Sequence, residues 1–190
     1  MKGYLHMCQL LILKGAAIDA KNSRKEPRLH IAVTNTNLDI CQLLIFKGAT
    51  IDAIDSEKKE PLHRAIANLN LEICQLVISN GATIDNVDSL IETLYTAIMK
   101  GYLDMCQLLI SMGAAIDAIN FRKETPLHIA VTNGNLNRCH PLISKGATID
   151  AIDSEKKTPL HRAVANWNSE IFQLLISKGA TIDNVPKILT

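Results

Sequence analysis

The chain has 190 residues, of which 47% are apolar and 21% charged, so it is expected to fold rather than to stay disordered. Its formal net charge of +1 argues against duplex nucleic acid as a partner, because proteins that bind it usually carry a basic excess. The longest apolar runs, around QLLI, are too short to span a bilayer, and an odd count of five cysteines favours a reducing compartment. We therefore expect an intracellular protein, cytoplasmic or alternatively nuclear, with no membrane insertion.

The first element, MKGYLHMCQLL at 1–11, returns almost unchanged as MKGYLDMCQLL at 99–109. In the second copy these residues lie in the middle of a structural unit, so the chain starts with half a unit. One side of Cys8, Leu11 and Ile12 is then expected to face water. Two explanations stay open. The chain is a fragment of a longer array, or it is a short protein whose uncapped ends are closed by a partner or by self-association.

A short motif ending in GA-x-I-D recurs along the whole chain. Its glycines are 33 residues apart at four steps and 32 apart at one, where the fourth unit has lost a residue near Asp88. A second offset of 98 residues maps the first half of the chain onto the second, and 54–86 differs from 152–184 at only seven of 33 places. This pattern indicates that three units were duplicated as a block.

Each unit is predicted to contain two short helices. The segment 38–47 has apolar residues all along one wide face, which is typical of a helix packed between neighbours, and Gly48 ends it. An extended polar connection follows at 49–60. In the fifth unit, Thr125 is a good N-cap, Pro126 suits the first helical position, and Gly134 can take the left-handed conformation that ends the helix.

The segments ETPLHIAVTNGNLNRCHPLISKGATIDA (124–151) and KTPLHRAVANWNSEIFQLLISKGATIDN (157–184) resemble ankyrin repeats in their T-P-L-H-x-A core and the following LLI-x-x-GA. The resemblance implies an all-α solenoid of L-shaped units in one domain over 1–190, and it implies no reaction. It also implies that a partner binds the concave side formed by the turn tips and first helices. The expected repeats are 1–20 (partial), 21–53, 54–86, 87–118, 119–151 and 152–184, with a tail at 185–190.

Histidines and cysteines each recur at one repeat position. Stacked helices lie about 8–10 Å apart, which is too far for equivalent histidines to share a zinc ion easily or for equivalent cysteines to form disulfides. Tyr95 and Phe172 also stand at these positions in other repeats. We interpret the cysteines as buried, reduced core residues, while the resemblance assigns the histidines to hydrogen bonds between neighbouring repeats. The two sets are His30, His63, His128 and His161, and Cys8, Cys41, Cys74, Cys106 and Cys139.

The repeat pattern breaks at several positions. Bulky residues stand where a left-handed residue is wanted. Pro141 and Arg138 also interrupt the second helix of the fifth repeat. We therefore predict a kinked or frayed helix at 137–144, with earlier proteolysis there than at 39–46. The last repeat exposes Phe172, Leu175 and Ile176 unless Ile188 and Leu189 cover them. A left-handed residue is wanted between helices at Thr36, Leu69 and Trp167, and the resemblance implies that a turn glycine often stands at the tip positions of Lys25, Lys58, Lys123 and Lys156.

The variable surface along the tips and first helices is mixed basic, polar and apolar, and it suits a protein partner with some acidic character. Phe121 is the strongest candidate, because an aromatic residue on a turn tip has little structural reason to be there. Trp167 could serve either as an anchor or in packing. The candidate partner-binding residues are Arg24, Lys25, Lys58, Arg64, Phe121, Arg122, Ile129, Lys156, Arg162 and Trp167.

Three functional hypotheses follow. The first is a non-enzymatic protein-interaction scaffold. The second is a targeting or substrate-recruiting arm of a larger protein, of the kinase or ubiquitin ligase type, of which these residues are a fragment. The third is a metal or redox protein built on the histidine and cysteine sets. No phosphate-binding loop or catalytic motif is present, so no catalytic residue, cofactor or metal site is predicted.

Overall fold

A computed structural model describes residues 2–83 and 88–182 of the chain. These residues form eleven α-helices and no strand, so the predicted all-α repeat class is confirmed. The chain divides into two compact units, Met1–Asp85 and Asn86–Thr190, and the division falls in sequence next to the predicted boundary between the repeats 54–86 and 87–118. The expectation of one domain over the whole chain stays a prediction. The helices are α1 (Lys2–Leu13), α2 (Arg28–Thr34), α3 (Leu38–Phe46), α4 (Pro61–Ala67), α5 (Leu71–Ser79), α6 (Asp88–Lys100), α7 (Leu103–Ser111), α8 (Pro126–Thr132), α9 (Leu136–Ser144), α10 (Pro159–Ala165) and α11 (Ser169–Ser177).

Each unit has two layers of helices. In the first unit, the first helices α2 and α4 stack on each other, and the second helices α1, α3 and α5 form the other layer. In the second unit, α6, α8 and α10 form the first layer, and α7, α9 and α11 form the second. The core between the layers is built from leucine, isoleucine, valine and alanine side chains that are almost fully buried. No helix in the described ranges is long and apolar enough to cross a membrane.

The first helices begin as the sequence predicts where the T-P motif is intact. Thr125 and His128 form a reciprocal capping box at the start of α8, Pro126 is the first helical residue, and α10 starts in the same way at Thr158. By contrast, α2 has Pro27 at its N-cap and no side-chain cap at all. The T-P motif therefore stabilises the start of a first helix through local hydrogen bonds, and the repeat that contains α2 lacks these bonds.

The second helices use asparagine as the N-cap. The Oδ1 atoms of Asn37, Asn70 and Asn168 each accept the N–H of the third helical residue. Gly48 follows α3 at φ 86° and Gly134 follows α8 at φ 67°, so both glycines have the predicted left-handed conformation. Asparagine caps thus define where the second helices begin, and left-handed glycines follow the ends of helices in both layers.

The predicted fraying of the helix around Pro141 is not observed, whereas the predicted kink and early proteolysis stay predictions. Helix α9 spans nine residues, as α3 does, with the proline inside it. The distortion lies in the first turn, where Asn135 caps the second helical residue instead of the third and the Arg138 N–H bonds Asn135 O in a 3₁₀ pattern at 3.1 Å. A proline ring crowds the carbonyl four residues earlier, here that of Asn137, and this accounts for the tighter turn.

Arg138 directs its guanidinium group to the C-terminal end of α6. Its Nη1 atom donates a 2.9 Å hydrogen bond to Ile98 O at the C-terminal end of α6. The guanidinium group covers Gly101, where an added Cβ would lie 2.3 Å from Nη2. The arginine therefore satisfies a helix-end carbonyl, an arrangement that also favours a positive charge at this end of the helix.

Among the described residues, seven other than glycine are held in the left-handed region, three where the sequence indicated such a residue and four where the family often has a turn glycine. Their φ values lie between 52° and 61°, where a side chain is unfavourable by roughly 1–2 kcal/mol. They are Lys25, Lys58, Lys123 and Lys156 on the tips, and Thr36, Leu69 and Trp167 between helices.

Replacing Lys123 with glycine should therefore raise the free energy of unfolding by about 0.5–1 kcal/mol, since relief of strain exceeds the extra entropy of the unfolded chain. Lys145→Gly is the matched control, because Lys145 has a φ of −95° and glycine brings no relief there. Chemical denaturation of both variants measures the difference, and equal effects would contradict the assignment of strain to the tip.

Neighbouring repeats are also tied by the recurring GA-x-I-D motif, through the aspartate of one copy and a threonine at the x position of the next. The carboxylate of Asp117 accepts both the N–H and the hydroxyl of Thr148, at 2.9 and 2.6 Å. Asp19 binds Thr50 in the same way in the first unit. The aspartate and threonine of the repeated motif thus contact each other across successive repeats.

Candidate protein-binding surface

Four turn tips lie within the described residues, at 22–26, 55–59, 120–124 and 153–157, and each is a five-residue loop closed by a backbone hydrogen bond from its first N–H to its fifth carbonyl. The first residue is Asn or Asp, and its Oδ1 accepts the N–H groups of the third and fifth residues. In the tip that starts at Asp55, the distances to Glu57 N and Lys59 N are 2.8 and 3.0 Å. Each tip is therefore held by a side-chain oxygen inside the loop.

The tips are of two chemical kinds. Where the first residue is asparagine, its Nδ2 donates to a glutamate at the fifth place, as Asn120 does to Glu124 at 2.8 Å. Where it is aspartate, an arginine nine residues later binds it, as Arg64 binds Asp55 at 2.7 Å. The two kinds follow one another within each unit.

Arg64 and Arg162, both predicted to bind a partner, are engaged within the protein. Arg64 also lies 3.1 Å from the exposed Glu57. Arg162 pairs with the buried Asp153 and, at 3.0 Å, with Glu124 of the preceding tip. Their partner-binding role stays a prediction, and their contacts show that they also hold the tips in place.

Aspartates at the base of the tips are ionised more readily than usual. Burial alone would raise the pKa of Asp55, but the hydrogen bonds from the Lys59 N–H and from Arg64 outweigh it and hold the pKa below its ordinary value. The pKa of Asp153 is lowered in the same way, against burial, chiefly by Arg162. Both carboxylates therefore remain charged acceptors for the loop N–H groups.

The tips of the second unit expose an apolar and cationic surface. Phe121 is 89% exposed, and the Arg122 guanidinium lies 5.5 Å from its ring centroid. Ile119 and Ile152, each 59% exposed, flank the two tips at equivalent places. The Ser154 N–H donates to Arg122 O at 2.8 Å, so the two tips are joined side by side.

The other candidates occupy varied environments. Lys25, Lys58 and Lys156 are exposed on their tips, and so is Arg24. Ile129 is half-buried on α8. Trp167 is 78% exposed at φ 54°, beside an apolar hollow of about 400 Å³ that includes Phe172. The structure does not bring Trp167 to the turn tips, since it lies at the opposite end of α10.

Two of the recurring histidines, His30 and His128, link neighbouring repeats, as the resemblance implied. The Nε2 atom of His30 lies 2.8 Å from Lys59 O, and that of His128 lies 3.0 Å from Lys157 O. Tyr95 takes over this contact in the fourth repeat, with its hydroxyl 2.6 Å from Glu124 O. Burial raises the pKa of Tyr95 to about 12, which keeps the hydroxyl protonated as a donor.

The cysteines match their predicted core role at four positions. Cys41, Cys74, Cys106 and Cys139 are buried, whereas Cys8 is half-buried, and all five are free thiols. Burial raises the pKa of Cys41, Cys74 and Cys139 to about 12, so these thiols are poor nucleophiles at neutral pH. Within the described residues no group of three or more His, Cys, Asp or Glu side chains could hold a metal ion.

Asp55, Asp153, Glu124 and the exposed isoleucines were not among the residues predicted from the sequence. A signal for the charged set is present, because aspartate is followed nine residues later by arginine, whereas Asn22 and Asn120 are followed by isoleucine. This covariation between repeats indicates contact between the two positions.

Stacked helix pairs joined by hydrogen-bonded tips define a repeat protein of the helical solenoid class. The family model for ankyrin repeats (3 copies) matches residues 1–88 and 94–185, so the chain belongs to the ankyrin repeat family. Ankyrin repeats are in general protein–protein interaction modules. None of the curated proteins compared with the chain matches it.

Proposed function

We propose that this chain is a non-enzymatic interaction scaffold that binds a protein partner along its turn tips and first helices, in the cytoplasm or nucleus. The observation that supports this most is the pair of joined tips in the second unit. They carry the exposed Phe121 between Ile119 and Ile152, although burying such side chains would be favourable by about 25 cal/mol per Å². Surfaces of this kind typically mark contacts.

The charges of the same tips favour an acidic partner. Arg122, Lys123 and Lys156 are exposed, whereas the carboxylates of Asp153 and Glu124 are buried in contacts with Arg162. The net charge of the exposed tip side chains is therefore more positive than the net charge of all tip residues counted together. An acidic segment with one or two apolar anchors complements it in charge and in apolar character.

Preformed tips lower the entropic cost of binding. Side-chain oxygens of Asn120 and Asp153 hold both loops, and the Ser154–Arg122 hydrogen bond joins them, so little backbone ordering is left for the complex. A rigid surface with one aromatic residue at its centre is the arrangement in which a few residues carry most of the binding energy.

A peptide display library selected on the full chain tests the proposal. Recovered peptides should combine acidic and apolar residues, and Phe121→Ala should weaken their binding at least about tenfold. Phe46→Ala is the matched control, since Phe46 is also 83% exposed, with Lys47 5.4 Å from its ring, but lies at the end of a second helix. Peptides that bind equally well to both variants would contradict a tip-centred surface.

A further inference from the structure

The last residue of each second helix is exposed in every repeat that the structure describes. Four repeats have serine there, whereas the first two have Leu13 and Phe46, which are 75% and 83% exposed. This exposure does not depend on where the array begins, because Ser144 is exposed on α9, which packs against both α7 and α11. The four serines are Ser79, Ser111, Ser144 and Ser177.

Leu13 and Phe46 belong to one apolar surface on the second-helix layer. Helices α1 and α3 pack side by side, and Leu10 and Leu43 lie one turn before Leu13 and Phe46 on the same helix faces. Leu10 is 41% exposed and Leu43 is half-buried. We call these four residues the α1/α3 patch. The residues 98 positions after Leu13 and Phe46 are serines, so the second unit lacks such a pair.

Opposite charges stand at the two ends of the exposed face of α3. Asp39 lies in the first turn and Lys47 follows the last residue, and both side chains are exposed. Within the described residues, no ion pair involves either of them. Leu43 and Phe46 lie between them, with Lys47 5.4 Å from the Phe46 ring. The face therefore runs from acidic through apolar to basic along the helix.

A face with this order of charges is complementary to a second copy of itself. A two-fold axis that crosses α3 at right angles makes the two helices antiparallel, and it places Lys47 of each molecule beside Asp39 of the other. The apolar residues of the two patches then meet between these contacts. On α1, Lys14 and His6 occupy the corresponding places, so α1 adds apolar contact rather than a further acidic–basic pair. A parallel arrangement would bring Lys47 against Lys47 and is unfavourable.

We propose that the α1/α3 patch joins two copies of this chain in a symmetric, antiparallel dimer. Phe46 and Leu13 supply the apolar anchors, and Asp39 with Lys47 sets the direction of the contact. Because each copy contributes only two helices, the interface belongs with those that bury less than about 1,200 Å² in total and assemble reversibly. The dimer does not depend on the proposed tip surface.

Sedimentation velocity of the full chain over a concentration series tests the proposal. A monomer–dimer equilibrium is expected between about 1 and 500 µM. Phe46→Ser introduces the residue of the other repeats and should raise the dissociation constant at least about tenfold. Phe121→Ala is the matched control, since Phe121 is 89% exposed but lies on a turn tip, and it should leave the constant unchanged.

An exchange of charges tests the antiparallel contact. Asp39→Lys and Lys47→Asp each replace two attractive contacts with two repulsive ones, so each variant alone should dimerise at least about tenfold more weakly than the native chain. An equimolar mixture of the two variants should dimerise about as well as the native chain, because both contacts of the mixed dimer again join opposite charges.

The outcomes separate the alternatives. A monomer throughout the series, an equal loss with Phe46→Ser and Phe121→Ala, or a mixture that dimerises no better than its two components would overturn the proposal. A dimer that Leu11→Arg abolishes and Phe46→Ser leaves intact would place the contact on another side of α1, where Leu11 is 50% exposed, and overturn it as well. Phe46→Ser should leave peptide binding at the tips unchanged, so the dimer and the tip surface can fail separately.

Discussion

Asp55→Ala should lower the free energy of unfolding by about 2–3 kcal/mol. The substitution leaves the N–H groups of Glu57 and Lys59 without their acceptor and removes the buried partner of Arg64. Asp55→Asn should cost only about 1 kcal/mol, because asparagine keeps the N–H acceptor, as it does in the tip at Asn120. Urea denaturation followed by circular dichroism measures both changes.

A triple variant tests the cause. Asp55→Asn, Lys59→Glu and Arg64→Ile together recreate the residues of the other kind of tip, where Asn120 donates to Glu124 and isoleucine stands at position 129, and the variant should recover stability to within about 0.5 kcal/mol of the native chain. A triple variant as unstable as Asp55→Ala would contradict the interpretation that the two kinds of tip are interchangeable.

The contribution of Asp55 to the free energy of unfolding also depends on pH. Because the folded pKa of Asp55 is below its unfolded value, the unfolded chain takes up the proton first, and the stabilisation is lost as pH falls through the lowered pKa. The difference in stability between the native chain and Asp55→Asn should therefore be constant above about pH 5 and shrink well below about pH 4. A difference that did not shrink would contradict the ionised contact.

His128→Ala should lower the free energy of unfolding by about 3 kcal/mol. The side chain is fully buried, its Nε2 donates to Lys157 O, and its Nδ1 accepts the N–H of Thr125 at 3.2 Å. The substitution would leave both partners unpaired next to a cavity. His140→Ala, at an exposed place on α9, is the control and should stay within about 0.5 kcal/mol.

The direction in which the stability conferred by His128 changes with pH follows from the burial of its side chain. Burial lowers the pKa of His128 below its ordinary value, so between the two pKa values the unfolded chain binds the proton and the folded chain does not. Stability conferred by the neutral imidazole is full above about pH 6.5 and declines as pH falls below it. The difference between the native chain and His128→Ala should therefore decrease from about pH 7.5 to about pH 5, and a constant difference would contradict a neutral buried imidazole.

The fold could be predicted because the signals that define it are local. A threonine, a proline and a histidine within four residues specify the start of α8, and Gly134 specifies its end. The lysines in the left-handed region were identified in the same way, by the position where a glycine would fit. Each of these inferences needs only the geometry of one turn.

Context decides where the same local sequence has two outcomes. The segment KGYLHMCQLL forms one continuous helix through Gly3 in α1, whereas its copy is broken at Gly101, with φ 83°, between α6 and α7. The residues that precede the copy form α6, which packs on the following repeats, and the Arg138 guanidinium covers Gly101. Such differences depend on packing partners distant in sequence, so the motif alone could not predict them.

The candidate site was predicted in part for a similar reason. Phe121 was identified because an aromatic residue on a tip is unusual, and it is exposed. Arg64 and Arg162 looked equally available in the sequence, but the loop folds back and places an aspartate against each of them. Charge counted along a chain overstates what a partner meets when the opposite charge is buried beneath the surface.

The contact of Arg162 with Glu124 across two consecutive tips has a consequence for how such an array can change by recombination. Glu124 is 6% exposed and lies against Arg162 of the next repeat. A crossover between these two repeats would leave a buried carboxylate without its cation, whereas a crossover that moves both repeats together keeps the pair intact. Where the incoming repeat lacks an arginine at this position, the smallest piece that can be inherited without loss is then larger than one repeat.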